Sequence, residues 1–171
     1  AWVNFTETDQ NFKVKLFGPF NITYPIKMYH SKHGPVLKDD NKAYALRFVG
    51  MNDVNHSTAW LKMNKSKNID EWLDALRMEQ LASLNLVYAD KEDNIFFVHN
   101  VKSPVRDPNY NWMQVVPGNK SDLIWNNFHP FESVPQILNP SSGYIFSTNQ
   151  NPFFVTAKED NLSLSNFNPT M

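Results

Sequence analysis

Asn85 is a polar residue at a position where the surrounding pattern calls for an apolar one. It stands between Leu84 and Leu86 in the run 84–89, which is typical of a β-strand, and it shares a face with Val87 and Ala89. Asparagine is disfavoured in strands, and a buried amide without a partner costs about 1–3 kcal/mol. The sequence therefore leaves two interpretations. Either the Asn85 amide is hydrogen-bonded within the core, or it is directed at an atom that develops negative charge during a reaction.

Arg106 is the second residue that could take part in chemistry. It lies in a loop bracketed by Pro104 and Pro108, which restrict the backbone and so hold the guanidinium in place. A salt bridge to the neighbouring Asp107 is the simpler interpretation, and a role at a functional site is the alternative.

Two patterns resemble metal-binding motifs but lack parts of them. His30 and His33 have H-x-x-H spacing, yet they fall at the end of a predicted strand, where residues i and i+3 point to opposite faces. We expect a turn in which one histidine faces solvent and the other bonds to the backbone. The acidic run 90–94 lacks the glycine and the bidentate acid of a calcium loop, so we expect a solvated hairpin turn there.

The elements that would position these residues change along the chain. Residues 1–50 are β-rich, with alternating runs at 12–17 and 22–29 separated by Gly18-Pro19, and a further strand predicted at 44–49. The first of these runs is predicted to be half buried. Pro25 indicates that the second strand is an edge strand or carries a bulge.

The segment 51–82 is predicted to be helical. Apolar residues spaced at i, i+3, i+4 and i+7 from Ile69 indicate an amphipathic helix, with Asn68 as its N-cap and Glu71 placed to complete a capping box. A shorter helix is expected at 58–65.

The remaining segment, 83–154, begins with a predicted β-hairpin, 84–89 with 94–99, and continues into proline-rich loops. A strand is predicted at 143–147, and residues 155–171 read as a polar tail. We therefore predict an α+β fold, with the whole chain 1–171 forming a single partial domain.

Composition excludes several functional classes. The 171 residues carry 16 basic and 17 acidic side chains, so the net charge of −1 gives no electrostatic reason to expect a nucleic-acid partner. No run of about 18 apolar residues is present, so no membrane span is predicted. The chain has no cysteine, which excludes thiolate nucleophiles and disulfides.

An ordered set of short motifs resembles the penicillin acylase (penicillin amidase) family of N-terminal-nucleophile hydrolases. Each motif is weak alone, but the set runs in order across about three quarters of the chain. The motifs are H-G-P-V (33–36), N-I-D-E-W (68–72), L-N-L-V-Y-A-D (84–90), N-I (94–95), V-P-G (116–118), Trp125, P-F-E-S-V-P (130–135), N-P-S-S-G-Y-I (139–145) and N-Q-N-P (149–152). The segments 152–154 and 168–171 are most similar to the acyl-homoserine-lactone and aculeacin acylase branch.

This resemblance implies a definite chemistry. Family members cleave themselves to free an N-terminal serine, which attacks an amide while its own α-amino group acts as the base. The family's oxyanion-hole asparagine matches Asn85, and a family arginine that orients that asparagine or the substrate matches Arg106. The substrate would be a small molecule with a linear N-acyl amide.

The resemblance also implies a setting for the chain. It would be an internal segment of the β chain, within an αββα sandwich, and would contact the remainder of the β chain and the α chain. A periplasmic or secreted location follows for the bacterial members. No cofactor is implied for the reaction. A structural calcium occurs in some members, but no ligands for it are identifiable in these residues.

The chain departs from the family pattern at its first residue, which is Ala1 and not serine. The family's long segment before H-G-P-V is also not recognisable, so we expect this chain alone to be inactive. One alternative is a stand-alone, non-catalytic, β-rich binding module related to the family, and a catalytically dead homologue is another. The fragment interpretation predicts apolar surface left exposed where partner strands would pack.

Overall fold

A computed structural model describes residues 3–171 and has an α+β fold, as the sequence predicts. The chain divides into two compact units, one formed by Ala1–Phe48 and Tyr110–Ile124 and the other by Val49–Asn109 and Trp125–Met171. Each unit has its own antiparallel sheet. That the chain is a single partial domain stays a prediction.

The regular elements are assigned in chain order. The strands are β1 (Thr6–Phe17), β2 (Phe20–His30), β3 (Pro35–Asp39), β4 (Lys42–Ala45), β5 (Asn85–Ala89), β6 (Ile95–His99) and β7 (Gln136–Leu138). The helices are α1 (His56–Lys65) and α2 (Ile69–Leu76). Short 3-10 turns lie at Ser121–Leu123, Phe131–Ser133 and Leu164–Asn166.

The first unit is built on a long hairpin. Strands β1 and β2 pair in antiparallel register from Thr6 opposite His30 to Phe17 opposite Phe20, and a left-handed Gly18 (φ 52°) closes the turn. The sheet order is β1-β2-β3-β4. Strand β3 pairs with β2 only at Tyr29 and His30, so along most of its length β2 has no partner on that edge among the residues that the structure describes.

This arrangement accommodates Pro25. The residue lies opposite Asn11 of β1, in the part of β2 that has no strand of residues 3–171 on its other side, and proline is tolerated at such an edge. The irregularity in the hairpin lies in β1, between Lys15 and Phe17, and not at the proline. The prediction of an edge-like strand is confirmed for that part of β2.

The prediction that the first strand is half buried is wrong. All twelve residues of β1 are exposed, and the apolar residues of the hairpin's alternating face are exposed with them. The exposed members are Phe12, Val14, Ile22, Tyr24, Ile26 and Met28. The alternation is real, but within residues 3–171 nothing packs on this face.

The second unit begins with the two helices. The side chain of Asn68 accepts a hydrogen bond from the Glu71 backbone N–H (2.9 Å), which confirms the predicted N-cap of α2. The Glu71 carboxylate accepts from the Lys67 N–H and not from the Asn68 N–H, so the reciprocal half of the capping box is displaced by one residue. Helix α1 confirms the shorter helix and begins two residues earlier than expected.

The second sheet, β5-β6-β7, has a core on each face, although on the second face the core covers β6 and β7 and leaves Val87 of β5 exposed. One core joins Trp72 and Leu76 of α2 to Phe96 and Val98 of β6, and Ala59 of α1 belongs to it. On the opposite face a second core contains Phe97 and Ile137 together with Val155 and Leu162. The predicted hairpin is confirmed, with Asn85 opposite His99 and Ala89 opposite Ile95.

Three sequence predictions of elements are corrected in part or in whole. Residues 143–147 are not a strand; the third strand of this sheet is Gln136–Leu138, three residues that gain their ladder only by pairing with β6. The strand predicted at 44–49 is shorter and lies at Lys42–Ala45. The predicted polar tail contributes Val155 and Leu162 to the second core, because their apolar side chains cover the outer face of β6 and β7.

Candidate functional site

A cavity of about 390 Å³ opens at one corner of the β5-β6-β7 sheet, where β5 begins and β6 ends. Its lining is rich in side-chain amides. The lining residues are Ser83, Leu84, Asn85, His99, Asn100, Asn149, Gln150, Asn151 and Pro152. Three segments of chain distant in sequence thus meet at the residue that the sequence analysis singled out.

Asn85 is the first residue of β5 and is half buried. Its neighbour Leu86 points into the core, whereas Val87 on the Asn85 face is exposed. The Asn85 side chain therefore does not lie in the core, as the first interpretation of its strand position required. It lines the cavity, and the strand ladder to β6 fixes its backbone.

His99 holds one end of the Asn85 amide. Its Nδ1 lies 2.8 Å from Asn85 Oδ1, and its Nε2 lies 3.0 Å from the Asn100 Nδ2. An amide oxygen can only accept and an amide nitrogen can only donate, so these contacts place the imidazole proton on Nδ1. Burial lowers the pKa of His99, which favours the neutral ring that this pattern needs.

The Asn85 Nδ2 is left as the free donor of the amide. Because His99 occupies Oδ1, the two N–H bonds of Nδ2 are the groups that Asn85 can offer to a molecule in the cavity. Among residues 3–171 no hydrogen bond from this nitrogen is recorded. A strand-mounted amide donor of this kind is suited to stabilising negative charge on an oxygen atom.

Backbone conformation around the cavity is unusual. Ser83, Asn100 and Asn149 all have positive φ (62°, 54° and 63°), a left-handed region that only glycine enters without cost. Gln150 fixes the third segment, because its Nε2 donates to the carbonyls of Phe146 (3.1 Å) and Phe154 (2.9 Å). The cavity wall is therefore held by specific contacts.

Arg106 does not line this cavity. It lies in the loop after β6, where its backbone N–H donates to the Thr170 carbonyl (2.8 Å) and its guanidinium carbon lies 5.5 Å from the centre of the Trp125 ring. Burial lowers the pKa of its guanidinium. The side chain is held, as the bracketing prolines predict, and a role for it at Asn85 stays a prediction.

The two metal-like patterns behave as the sequence predicts. His30 is exposed at the end of β2, while His33 donates from Nε2 to the Gly118 carbonyl (3.0 Å). The Asp90 carboxylate accepts from the backbone N–H groups of Glu92 and Asn94 within the hairpin turn. In the described part of the chain no group of three or more acidic or histidine side chains is placed to hold a metal ion.

Sequence reasoning did not identify His99 or the 149–152 segment as parts of a site. The register of the predicted hairpin could have identified His99, because pairing 84–89 with 94–99 places His99 opposite Asn85. Nothing local indicated that residues 149–152 return to the same corner. Within residues 3–171, no helix combines the length and the apolar character needed to cross a membrane.

Comparison with known sequences gives a consistent result. The family model for penicillin amidase matches residues 1–170. Penicillin G acylase of Escherichia coli is 32% identical over 155 residues, which cover 88% of this chain and 18% of the relative. Penicillin acylase 2 proenzyme of Pseudomonas sp. (strain SE83) is 28% identical over 123 residues, covering 70% and 16%.

Among solved structures, a thermostable penicillin G acylase from Alcaligenes faecalis superimposes with a TM-score of 0.71 at 25% identity. The match covers 92% of this chain and 29% of that one, so the α+β fold is that of a segment of a penicillin acylase. The chain spans less than a fifth of the length of the curated relatives it matches. By sequence and by fold, the chain belongs to the penicillin amidase family.

Proposed function

We propose that this chain is a segment of an acylase that hydrolyses linear N-acyl amides, of the penicillin or acyl-homoserine-lactone type, and that Asn85 supplies the side-chain donor of its oxyanion hole. The observation that carries the proposal is the Asn85 amide, whose oxygen is bound by His99 and whose nitrogen is left to donate into a cavity of about 390 Å³. A cavity of this size is within the range for small-molecule sites.

The chemistry assigned to Asn85 is electrostatic. When a nucleophile adds to an amide carbonyl, the oxygen becomes an oxyanion, and a fixed N–H donor stabilises it more than it stabilises the starting carbonyl. The Asn85 amide is neutral and strand-mounted, so it needs little reorganisation during the reaction. The proposed reaction uses no cofactor.

The nucleophile would come from outside the cavity lining seen here. Ser83 lies in the lining, but His99 is not available to it as a base, because both ring nitrogens are already hydrogen-bonded to asparagines. A serine needs an adjacent base to attack an amide. We propose that an N-terminal serine of the longer protein fills this role with its own α-amino group, and that the chain without it is inactive.

The exposed hairpin supports the fragment interpretation over the binding module. The alternating face of β1 and β2 presents at least six large apolar side chains to solvent, as that interpretation predicts. We propose that this face is covered by the remainder of the acylase β chain or by its α chain. We also propose that the protein belongs to the acyl-homoserine-lactone acylase branch and that its substrate is a small molecule. A periplasmic or secreted location is proposed with them.

The test is made on the native protein that contains this chain. Chromogenic amides with phenylacetyl and with linear fatty-acyl groups should both be assayed, because they separate the two substrate types. Asn85→Ala should lower kcat by about 10²- to 10³-fold with little change in KM, since one oxyanion donor is lost.

Asn119→Ala is the matched control, since Asn119 is exposed and is not among the cavity-lining residues. The acylase proposal fails if the native protein hydrolyses neither class of amide, or if both asparagine variants retain full activity. Binding of an acyl amide without turnover would favour the binding module.

A further inference from the structure

His99 is the only imidazole among the cavity-lining residues, and its place follows from strand register. It is the last residue of β6 and lies directly opposite Asn85 in the antiparallel pair. Side chains of directly opposed residues share one face and lie close together. The Phe167 and His99 rings pack edge to face, with centroids 5.9 Å apart, and Phe167 itself packs against the second core, so the imidazole is supported from that side.

An asparagine amide has two orientations of nearly the same shape. Rotation by 180° exchanges the oxygen with the NH₂ group, and only one orientation presents N–H donors to the cavity. In the observed orientation the His99 Nδ1–H donates to Asn85 Oδ1 at 2.8 Å. In the opposite orientation two donors would face each other across that distance, so the imidazole proton selects the orientation that leaves Nδ2 free.

Asn100 is the second partner of the His99 ring, and its contact matches a proton on Nδ1. In the observed orientation its Nδ2 donates to His99 Nε2 at 3.0 Å, so Nε2 is the acceptor and the ring proton lies on Nδ1. The backbone of Asn100 is itself held, because its N–H donates to the Leu84 carbonyl (3.1 Å) with φ at 54°. Three side chains therefore form one directed chain of donors and acceptors that ends at Asn85 Nδ2.

We propose that His99 is a positioning residue for the reaction: it orients the Asn85 amide so that Nδ2 donates to the oxyanion, and it neither touches substrate nor transfers a proton. This inference rests on the proposed function, since it assigns to His99 an effect that passes only through Asn85. It also accounts for the engagement of both His99 nitrogens by asparagines rather than by a nucleophile.

The variants are chosen so that one keeps the donor and one removes it. His99→Asn carries an amide N–H near the position of Nδ1, whereas His99→Leu has similar bulk and no donor. In the native protein, His99→Leu should lower kcat by about 10- to 100-fold, the range typical of residues that orient a functional side chain, with KM changed by less than about twofold. His99→Asn should recover most of that loss.

A double-mutant cycle separates positioning from independent action. Once Asn85 is alanine there is no amide to orient, so adding His99→Leu to Asn85→Ala should lower kcat no further. His30→Leu is the control for loss of an imidazole, because His30 is exposed at the end of β2. Thermal unfolding of each variant identifies any loss of kcat that comes from loss of folded protein.

The outcomes distinguish this inference from the proposed function. If Asn85→Ala is costly and His99→Leu is not, the inference is wrong and the oxyanion role of Asn85 stands. Losses from the two changes that multiply in the double variant would also overturn it, because His99 would then act by another route. If Asn85→Ala has no effect on kcat, the proposed function itself fails.

Discussion

The hairpins that build the two sheets of this protein differ both in sequence pattern and in environment. Both hairpins pair antiparallel strands, but β1 and β2 alternate apolar residues with others, whereas β6 begins with a continuous apolar run from Ile95 to Val98. Phe12 in the first is 49% exposed, whereas Phe97 in the second is fully buried. In the described part of the chain, only the second sheet has helices on one face and a loop segment on the other.

The first hairpin shows that an alternating pattern marks a face suited to burial but does not supply the segment that buries it, whereas the continuous apolar run of β6 is typical of a strand buried on both faces. The first unit contains no α-helix among its described residues, and its sheet keeps one apolar face open. An open face of this size is unusual for a chain that acts alone, because each buried apolar side chain contributes about 1.5–3 kcal/mol. The second unit holds the more complete core and also holds the candidate site.

The largest expected effect is at Phe97. In the 171-residue chain Phe97→Ala should lower the free energy of unfolding by about 3–5 kcal/mol, because it opens a cavity in the second core. Phe12→Ala is the matched control and should cost about 1 kcal/mol or less, since its side chain is half exposed. Urea unfolding followed by tryptophan fluorescence measures both, and equal losses would contradict the contrast between the sheets.

The same pair of variants sharpens the comparison when it is made in the longer protein. If the hairpin face is covered there, the cost of Phe12→Ala should rise toward that of Phe97→Ala, because both side chains are then buried. A cost at Phe12 that stays small in both settings would mean that the hairpin face remains exposed.

A smaller effect is expected at the helix layer that covers the second sheet. Asn68→Ala removes the side chain that accepts from the Glu71 N–H, and should lower the free energy of unfolding by about 1 kcal/mol. Asn68→Asp keeps an acceptor at the N-cap and is the control. Urea unfolding again gives the value, and a loss shared by both variants would indicate that the cap itself is not the cause.

The smallest effect concerns pH. Burial lowers the pKa of His99 below its ordinary value, so the unfolded chain takes up the proton before the folded chain does. The contribution of neutral His99 to the free energy of unfolding is therefore complete above about pH 6.5, the ordinary pKa of histidine. That contribution is lost as the pH falls below this pKa. His99→Asn should reduce the difference in unfolding free energy between pH 7.5 and pH 5.5, with His30→Asn as the control.

Local patterns in the sequence were sufficient for much of the second unit. The period of apolar residues placed α2, the N-cap rule identified Asn68, and the polar turn at Asp90 set the hairpin that carries Asn85. These features depend on residues within a few positions of one another, so a single sequence contains the information. The family resemblance is confirmed for the same reason, since its motifs are short and ordered.

Features that depend on distant contacts were not predictable in this way. Strand β7 has only three residues and is formed by pairing with β6. Residues 143–147 have a strand-like composition, but among the described residues they pair with no strand. Val155 and Leu162 lie in a segment predicted to be a polar tail, but in the structure their side chains are buried in the second core. The position of Arg106 relative to Asn85 also could not be read from its spacing, and its functional role stays a prediction.

By itself the sequence determined the α+β class, the helices and the hairpin, and it singled out Asn85 as a candidate, because each follows from propensity, period or capping over short distances. Tertiary structure alone decided that Asn149–Pro152 returns to Asn85, that His99 holds the amide oxygen, and that one sheet is covered while the other is open. The physical reason is the same in each case. The total apolar surface that packing can bury decides which distant segments come into contact. A pattern over a few neighbouring residues contains no information about that total.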